Sequence, residues 1–177
     1  MFIVFEGLDK SGKTTQINLL KEVYNYKFIS FPNRETETGK IIDKYLKMEI
    51  NMNKKDIDDL FIENILEMKD FLDKNPNVIC DRYYFSTFAY GEFESDYVKF
   101  VNLINEMRKP DIIFYLNRDI DDIVKTKDFG KEIEENIYKL DKVEKKYKNI
   151  FIGKDIKILN ISNMTREQTF KEICKYI

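Results

Sequence analysis

FEGLDKSGKTTQ, residues 5–16, joins the end of an apolar run to the start of a helical pattern. Within it, GLDKSGKT (7–14) fits GxxxxGK[ST] at all four fixed positions. A strand before and a helix after are the context in which this spacing builds a phosphate-binding loop. Gly7 and Gly12 allow a tight turn with several N–H groups directed inward, and the following helix adds its positive N-terminal end. The cradle so predicted comprises Gly7, Leu8, Asp9, Lys10, Ser11, Gly12, Lys13, Thr14 and Thr15. Lys13 would reach the β- and γ-phosphates of a nucleoside triphosphate, and the Thr14 hydroxyl would be a ligand of Mg²⁺.

Asp9 is out of place in such a loop. A carboxylate among phosphates repels them unless it faces a second ligand with a hydroxyl to offer, so its presence suggests two substrates meeting at the loop. Lys10 beside it is a cation that could meet charge developing between donor and acceptor. A solvated Asp–Lys pair is the alternative reading.

The 177 residues are enough for one domain that buries roughly two thirds of its unfolded surface. Lys plus Arg (30) nearly cancels Asp plus Glu (32), which leaves no basic excess to favour nucleic acid or an anionic membrane as partner. The two cysteines, Cys80 and Cys174, have no metal or disulfide spacing, and the apolar start MFIVFEG is too short for a signal peptide or a membrane span. A cytoplasmic protein with small-molecule partners is expected. Histidine is absent, so an imidazole base is excluded and the chemistry must run on carboxylates, cations, hydroxyls and backbone amides.

Apolar runs at 2–6, 27–31, 77–81, 111–117 and 156–161 read as five strands covered on both faces. Helical patterns lie between them. One at 13–24 carries Ile17, Leu20 and Tyr24 on a face, one at 56–72 carries Ile57, Phe61, Ile65, Met68 and Leu72, and one at 97–107 carries Tyr97, Val101 and Ile104. A last one carries Phe170, Ile173, Cys174 and Ile177. The alternation predicts an α/β fold, a five-stranded parallel sheet with helices on both faces, with ligands beyond the carboxyl ends of the strands. No repeat or linker divides the chain. Arg34 follows the second strand, and Asp81 and Arg82 follow the third, so two guanidinium forks fall on the ligand edge, suited to holding a monophosphate. Ion pairing with nearby acids is the structural alternative for either one.

FEGLDKSGKTTQ, FPNRETETGKIIDKYL (31–46), DRYYFS (81–86), KPDIIFYLN (109–117) and GKEIEEN (130–136) together resemble the blocks of the thymidylate kinases, of the eukaryotic and poxvirus type. The resemblance implies a P-loop kinase fold over residues 1–177, transfer of the γ-phosphoryl group of MgATP to dTMP, and a homodimer. Asp9 matches the carboxylate that orients the acceptor sugar, and Arg34 and Arg82 match the residues that grip the dTMP phosphate. Asp81 matches the acid near the metal, giving Thr14 and Asp81 as the implied metal ligands. Phe61 corresponds to the ring that stacks on thymine, with Phe31, Asn64, Ser86 and Thr87 around the same pocket. Tyr90 corresponds to the gate against a 2′-hydroxyl. Lys10, Lys13, Asp9 and Arg82 form the implied catalytic set.

Three departures stand beside the match. Relatives read FxxNRxE where this chain has FIENILE (61–67), so Ile65 replaces an Arg that reads the base, or else completes the helix's buried stripe. In the lid-like stretch at about 125–135, a segment taken to close over ATP, any cation must come from Lys125, Lys127 or Lys131. The chain also stops sooner than many relatives. NKKD (53–56) matches the guanine-reading NKxD of GTP switches, but it precedes the third strand and no DxxG follows that strand. Within kinases, the remaining alternative is another or broader monophosphate specificity, such as dUMP or dGMP.

Overall fold

The computed structural model describes residues 1–91, 97–125 and 133–177. Five strands, β1 (Phe2–Glu6), β2 (Lys27–Ser30), β3 (Val78–Asp81), β4 (Ile112–Asn117) and β5 (Lys157–Asn160), pair in the order β2-β3-β1-β4-β5, and every pairing is parallel. Between them run α1 (Lys13–Val23), α2 (Glu37–Leu46), α3 (Lys54–Leu66), α4 (Lys69–Lys74), α5 (Tyr84–Tyr90), α6 (Tyr97–Glu106), α7 (Ile120–Val124) and α8 (Ile133–Phe151), and α9 (Arg166–Ile173) closes the chain.

The pleat of β1 explains why helices cover both faces. Phe2 and Val4 point into one core with Ile65 of α3, Phe85 of α5 and Tyr147 of α8. Ile3 and Phe5 point into the other with Ile17 and Leu20 of α1 and Ile173 of α9. Full burial on both faces holds for the three inner strands, whereas β2 and β5 keep exposed positions because each lies at an edge of the sheet.

Two helical expectations need correction. The 56–72 pattern is two helices: a tight turn, with Met68 N–H donating to Ile65 O at 3.1 Å, ends α3, and α4 then buries Leu72. The buried stripe is Phe100 and Leu103 of α6 with Met107 just after it, one position away from the Val101 and Ile104 face read in the sequence. Phe88 of α5 stacks on Phe100 at 4.1 Å, and that contact turns the helix.

The segment after β2 is held by a contact the sequence did not signal. Asn64 of α3, fully buried, accepts from Asn33 N–H (2.7 Å), and its amide nitrogen lies 3.1 Å from Asn33 O and 2.8 Å from Thr36 Oγ1. Thr36 in turn caps α2 by accepting from Gly39 N–H at 3.1 Å. A Cβ built on Gly39 would lie 1.7 Å from Asn33 O, so only glycine lets α2 begin this close to the Arg34 segment. Gly39→Ala therefore opposes a helix-propensity gain of up to ~1 kcal/mol with a clash against backbone, which costs about 1–3 kcal/mol. We expect net destabilisation in urea denaturation; a variant as stable as the parent would show that the segment yields freely.

Candidate functional site

The register levels the strand ends that carry the chemistry. Phe5 of β1 pairs with Asp81 of β3, which pairs with Ser30 of β2, so the segments leaving all three strands emerge side by side. The loop after β1 turns where its glycines stand. Gly7 has φ 144° and a Cβ there would lie 2.6 Å from Leu116 O, while Gly12, at φ 89°, forms the N-cap of α1. Ser11 N–H donates to Leu8 O at 3.2 Å. Lys13, the first residue of α1, folds back under the loop and donates to Leu8 O (2.8 Å) and Gly7 O (3.1 Å). Burial lowers the Lys13 pKa from its ordinary 10.5 to about 7, with Arg82 adding to the fall and Asp81, Asp9 and Glu6 opposing it.

Arg82 is placed by strand pairing and then by a turn. Its N–H continues the ladder to Phe5 O at 2.9 Å, and at φ 68° it enters the left-handed region, a strain of order 1–3 kcal/mol for a non-glycine residue. The guanidinium then lies against the loop. Nη2 donates to Asp9 Oδ1 at 2.5 Å, Cζ sits over the Tyr90 ring at 5.0 Å, and the Tyr90 hydroxyl is 3.4 Å from Nη2 and 3.5 Å from Asp9 Oδ2. Nη1 donates to Ser86 Oγ (3.0 Å) and Tyr147 Oη (3.3 Å). Behind these hydroxyls Glu6, the last residue of β1, is fully buried; burial raises its pKa, opposed by Arg82 and by hydrogen bonds from Ser86, Tyr147 and Tyr83.

Other predicted residues fall as follows. Thr14 Oγ1 donates to Asp81 Oδ2 at 3.2 Å, so the two implied metal ligands are neighbours. Arg34 pairs through Nε with Asp43 Oδ1 of α2 at 2.7 Å, the ion-pair alternative, and at the same time lines the large cavity. That cavity, about 780 Å³, runs from Asp9 and Thr14 past Arg82 and Arg34 to Phe31 and Phe61. Asn64, Ile65, Ser86, Thr87 and Tyr90 also border it, although the Asn64 amide is held by the Arg34 segment. Ile65 is buried in the core, as the stripe reading had it. Lys10 has φ 62°, and its carbonyl accepts from Arg118 Nη1 at 3.2 Å. Lys125 follows α7, mostly exposed, with Asp122 at 3.7 Å. Lys127 and Lys131 lie outside the described residues, as does most of the predicted lid. In NKKD, Asn53 is the N-cap of α3 and accepts from Asp56 N–H at 2.9 Å, an ordinary capping contact.

Sequence reasoning missed Glu6, Tyr147 and Arg118. Arg118 follows a strand as Arg34 and Arg82 do, so the same argument reaches it. Tyr147 sits deep in α8, where only the fold brings it to the site.

The thymidylate kinase family model matches residues 5–173. A thymidylate kinase of Plasmodium falciparum is 42% identical over 159 residues, covering 84% of this chain and 76% of the relative. A probable thymidylate kinase of Methanococcus aeolicus is 40% identical, covering 98% and 94%. A solved structure of thymidylate kinase from Candida albicans, an enzyme described as having broad substrate specificity, superposes with TM-score 0.84 at 28% identity over 99% of this chain and 89% of that one. The Ehrlichia chaffeensis enzyme, at 24% identity and TM-score 0.71 over 99% and 97%, shares the fold.

The lowered Lys13 pKa has a measurable consequence. In the empty protein at about pH 8 the amine is largely neutral, and a polyphosphate arriving beside it restores the charge, so binding takes up a proton. Calorimetry of triphosphate binding in buffers of different ionisation enthalpy should show that uptake at about pH 8 and much less at about pH 6. A binding enthalpy independent of buffer at the higher pH would place Lys13 near its ordinary value. The same sign governs stability: between about 7 and 10.5 the unfolded chain binds the proton that the fold excludes, so this residue's contribution to stability rises with pH.

Proposed function

We propose that this chain, which belongs to the thymidylate kinase family, transfers the γ-phosphoryl group of MgATP to dTMP, giving dTDP and ADP. The observation that carries the reading is that one cavity is bordered by Asp9 and Thr14 of the phosphate loop, by Arg82 and Arg34, and by the Phe31 and Phe61 rings. One continuous space bordered by Asp9, Thr14, Arg82 and Phe61 suits a donor and an acceptor meeting at the loop.

In this reading Gly7 to Thr15 and Lys13 hold the triphosphate, and Lys125 and Lys131 belong to the ATP side. Arg34 and Arg82 hold the acceptor phosphate, Asp9 meets the acceptor sugar, and Phe31, Phe61, Asn64 and Ser86 bound the base pocket, with Tyr90 against the sugar's 2′ position. Lys10, Lys13, Arg82 and Asp9 are the proposed catalytic set. No base is required, because the incoming phosphate oxygen is already anionic and catalysis is positioning plus charge neutralisation. The absence of histidine fits that chemistry.

The residues present suit Mg²⁺. Thr14 and Asp81 offer adjacent oxygen donors, and no group of three or more acidic, histidine or cysteine side chains placed to hold a metal ion occurs among the described residues. Mg²⁺ typically takes one or two protein ligands and completes its shell with phosphates and water. When bound, the ion neutralises charge on the transferring phosphoryl group. We assign the whole of residues 1–177 to one kinase domain, with the segment at about 125–135 as its lid. Among the described residues, no helix is long and apolar enough to cross a membrane; a cytoplasmic location belongs to the same proposal.

A coupled assay with MgATP against dTMP, dUMP, dGMP, UMP and AMP tests the reading. dTMP should be the best acceptor, and turnover of another monophosphate in preference to it would overturn the assignment. Arg82→Ala should lower kcat/KM for dTMP at least ~100-fold while leaving ATP affinity nearly intact, because it removes a desolvated charged contact to the acceptor alone. Equal losses for both nucleotides would remove it from the acceptor side.

A homodimer is proposed with the same family. Sedimentation equilibrium should return twice the mass of the 21.3 kDa chain; a monomer at micromolar concentration would refute the dimer and leave the chemistry untouched.

A further inference from the structure

The contacts behind Arg82 contain a direction that sequence patterns do not express. Glu6 Oε1 accepts from the N–H groups of Tyr83 (2.8 Å) and Ser86 (3.3 Å), which fixes the carboxylate against the start of α5. Its other oxygen, Oε2, lies 2.5 Å from Ser86 Oγ and 2.8 Å from Tyr147 Oη. Those two hydroxyl oxygens are also the ones that Arg82 Nη1 reaches, at 3.0 and 3.3 Å. A carboxylate only accepts and a guanidinium only donates. Ser86 Oγ and Tyr147 Oη also lie 2.7 Å apart, so the two protons either both go to Glu6 or one goes to Glu6 and the other to the neighbouring hydroxyl; in each arrangement both oxygens present lone pairs to Arg82. The opposite edge of the guanidinium, Nη2, is left to Asp9 and the cavity.

We infer that Glu6 is a positioning residue for the acceptor-phosphate arginine, acting through the hydroxyls of Ser86 and Tyr147 to hold Nη1 so that Nη2 faces the cavity. This rests on the kinase reading above. Glu6 is sealed from the cavity, so it touches no substrate; its effect is carried by proton direction in two hydrogen bonds. Tyr147 brings α8 into the same device, so one helix turn far along the chain helps to aim a residue set by β3.

Glu6→Gln tests this because it keeps the shape and reverses the polarity. The amide oxygen must stay with the Tyr83 and Ser86 N–H groups, so the amide nitrogen faces the two hydroxyls. One hydroxyl proton can pass to the neighbouring hydroxyl, but the other then turns outward, donor against donor, toward Arg82. Flipping the amide only moves the conflict to the backbone N–H groups.

The expected result is a fall in kcat/KM for dTMP on the order of 10- to 100-fold, with the KM for MgATP within about twofold of the parent. Tyr147→Phe removes one of the two relays and should lower the same parameter by a smaller factor, about three- to tenfold. A residue that merely supported the fold would lower both nucleotides' affinities together, along with the melting temperature. The inference is overturned if Glu6→Gln keeps the parent's dTMP kinetics or loses ATP and dTMP binding in parallel. Should that variant fail to fold, Tyr147→Phe decides, and unchanged dTMP kinetics there overturns it equally. A parent protein inactive on every monophosphate would instead refute the kinase reading, so the two failures are distinguishable.

Discussion

The parallel register between β1 and β3 is the constraint on which the rest depends. Pairing Phe5 with Asp81 brings the phosphate loop and the Asp81–Arg82 corner out of the sheet at one level, and the Arg82 N–H to Phe5 O bond fixes the corner itself. A shift of one residue would turn the alternating side chains of β1 to the wrong cores and carry Arg82 about 3.3 Å along the strand, beyond reach of Asp9. The two apolar cores that grip Phe2 and Val4 on one face and Ile3 and Phe5 on the other thus also set the distance between a carboxylate and a guanidinium at the site. Packing and chemistry share one determinant here.

That determinant places a fully buried acid where burial is costly. Removing an ionised carboxylate from water costs several kcal/mol even after relaxation, and hydrogen bonds to a charged group return about 1.5–3 kcal/mol each. Glu6 has four donors, from Tyr83 N–H, Ser86 N–H, Ser86 Oγ and Tyr147 Oη, with Arg82 just beyond. The offset is sufficient only with the full set in place. An apolar residue at position 6 would cost less to bury, but it would remove the acceptor that draws the Ser86 and Tyr147 protons away from Arg82. The acid therefore contributes definition of geometry more than net stability.

Much of the fold was legible because its signals are local. Apolar runs bounded by charge marked all five strands to within a residue or two, and the glycine spacing marked the loop. What escaped depends on contacts between distant segments. Phe88 against Phe100 decides which stripe of α6 is buried, and neither residue announces the other. The long helix α8 is so rich in Lys and Glu that its buried positions, Leu140, Val143 and Tyr147, are diluted in the sequence. At the site, the residues of the loop and of DRYYFS were visible because they follow strands. Glu6 read as the end of a strand, and the Asn64 amide's part in holding the Arg34 segment appears only once α3 lies across it.

The carboxylate inside the phosphate loop can now be understood without appeal to a substrate. Asp9 accepts from Nη2 of Arg82, so the loop carries its own counterion for that guanidinium. Asp9 is mostly exposed, with 68% of its side chain accessible, so this pair is worth little in stability and exchanges readily. In the proposed reading a phosphate dianion would outcompete the single carboxylate at Nη2, since it brings more charge and more acceptor oxygens to the same fork. Once displaced, Asp9 has the Tyr90 hydroxyl beside it and the cavity in front of it. The Asp9 pair is thus the solvent-exposed and exchangeable side of a guanidinium whose other side is fixed through Ser86 and Tyr147.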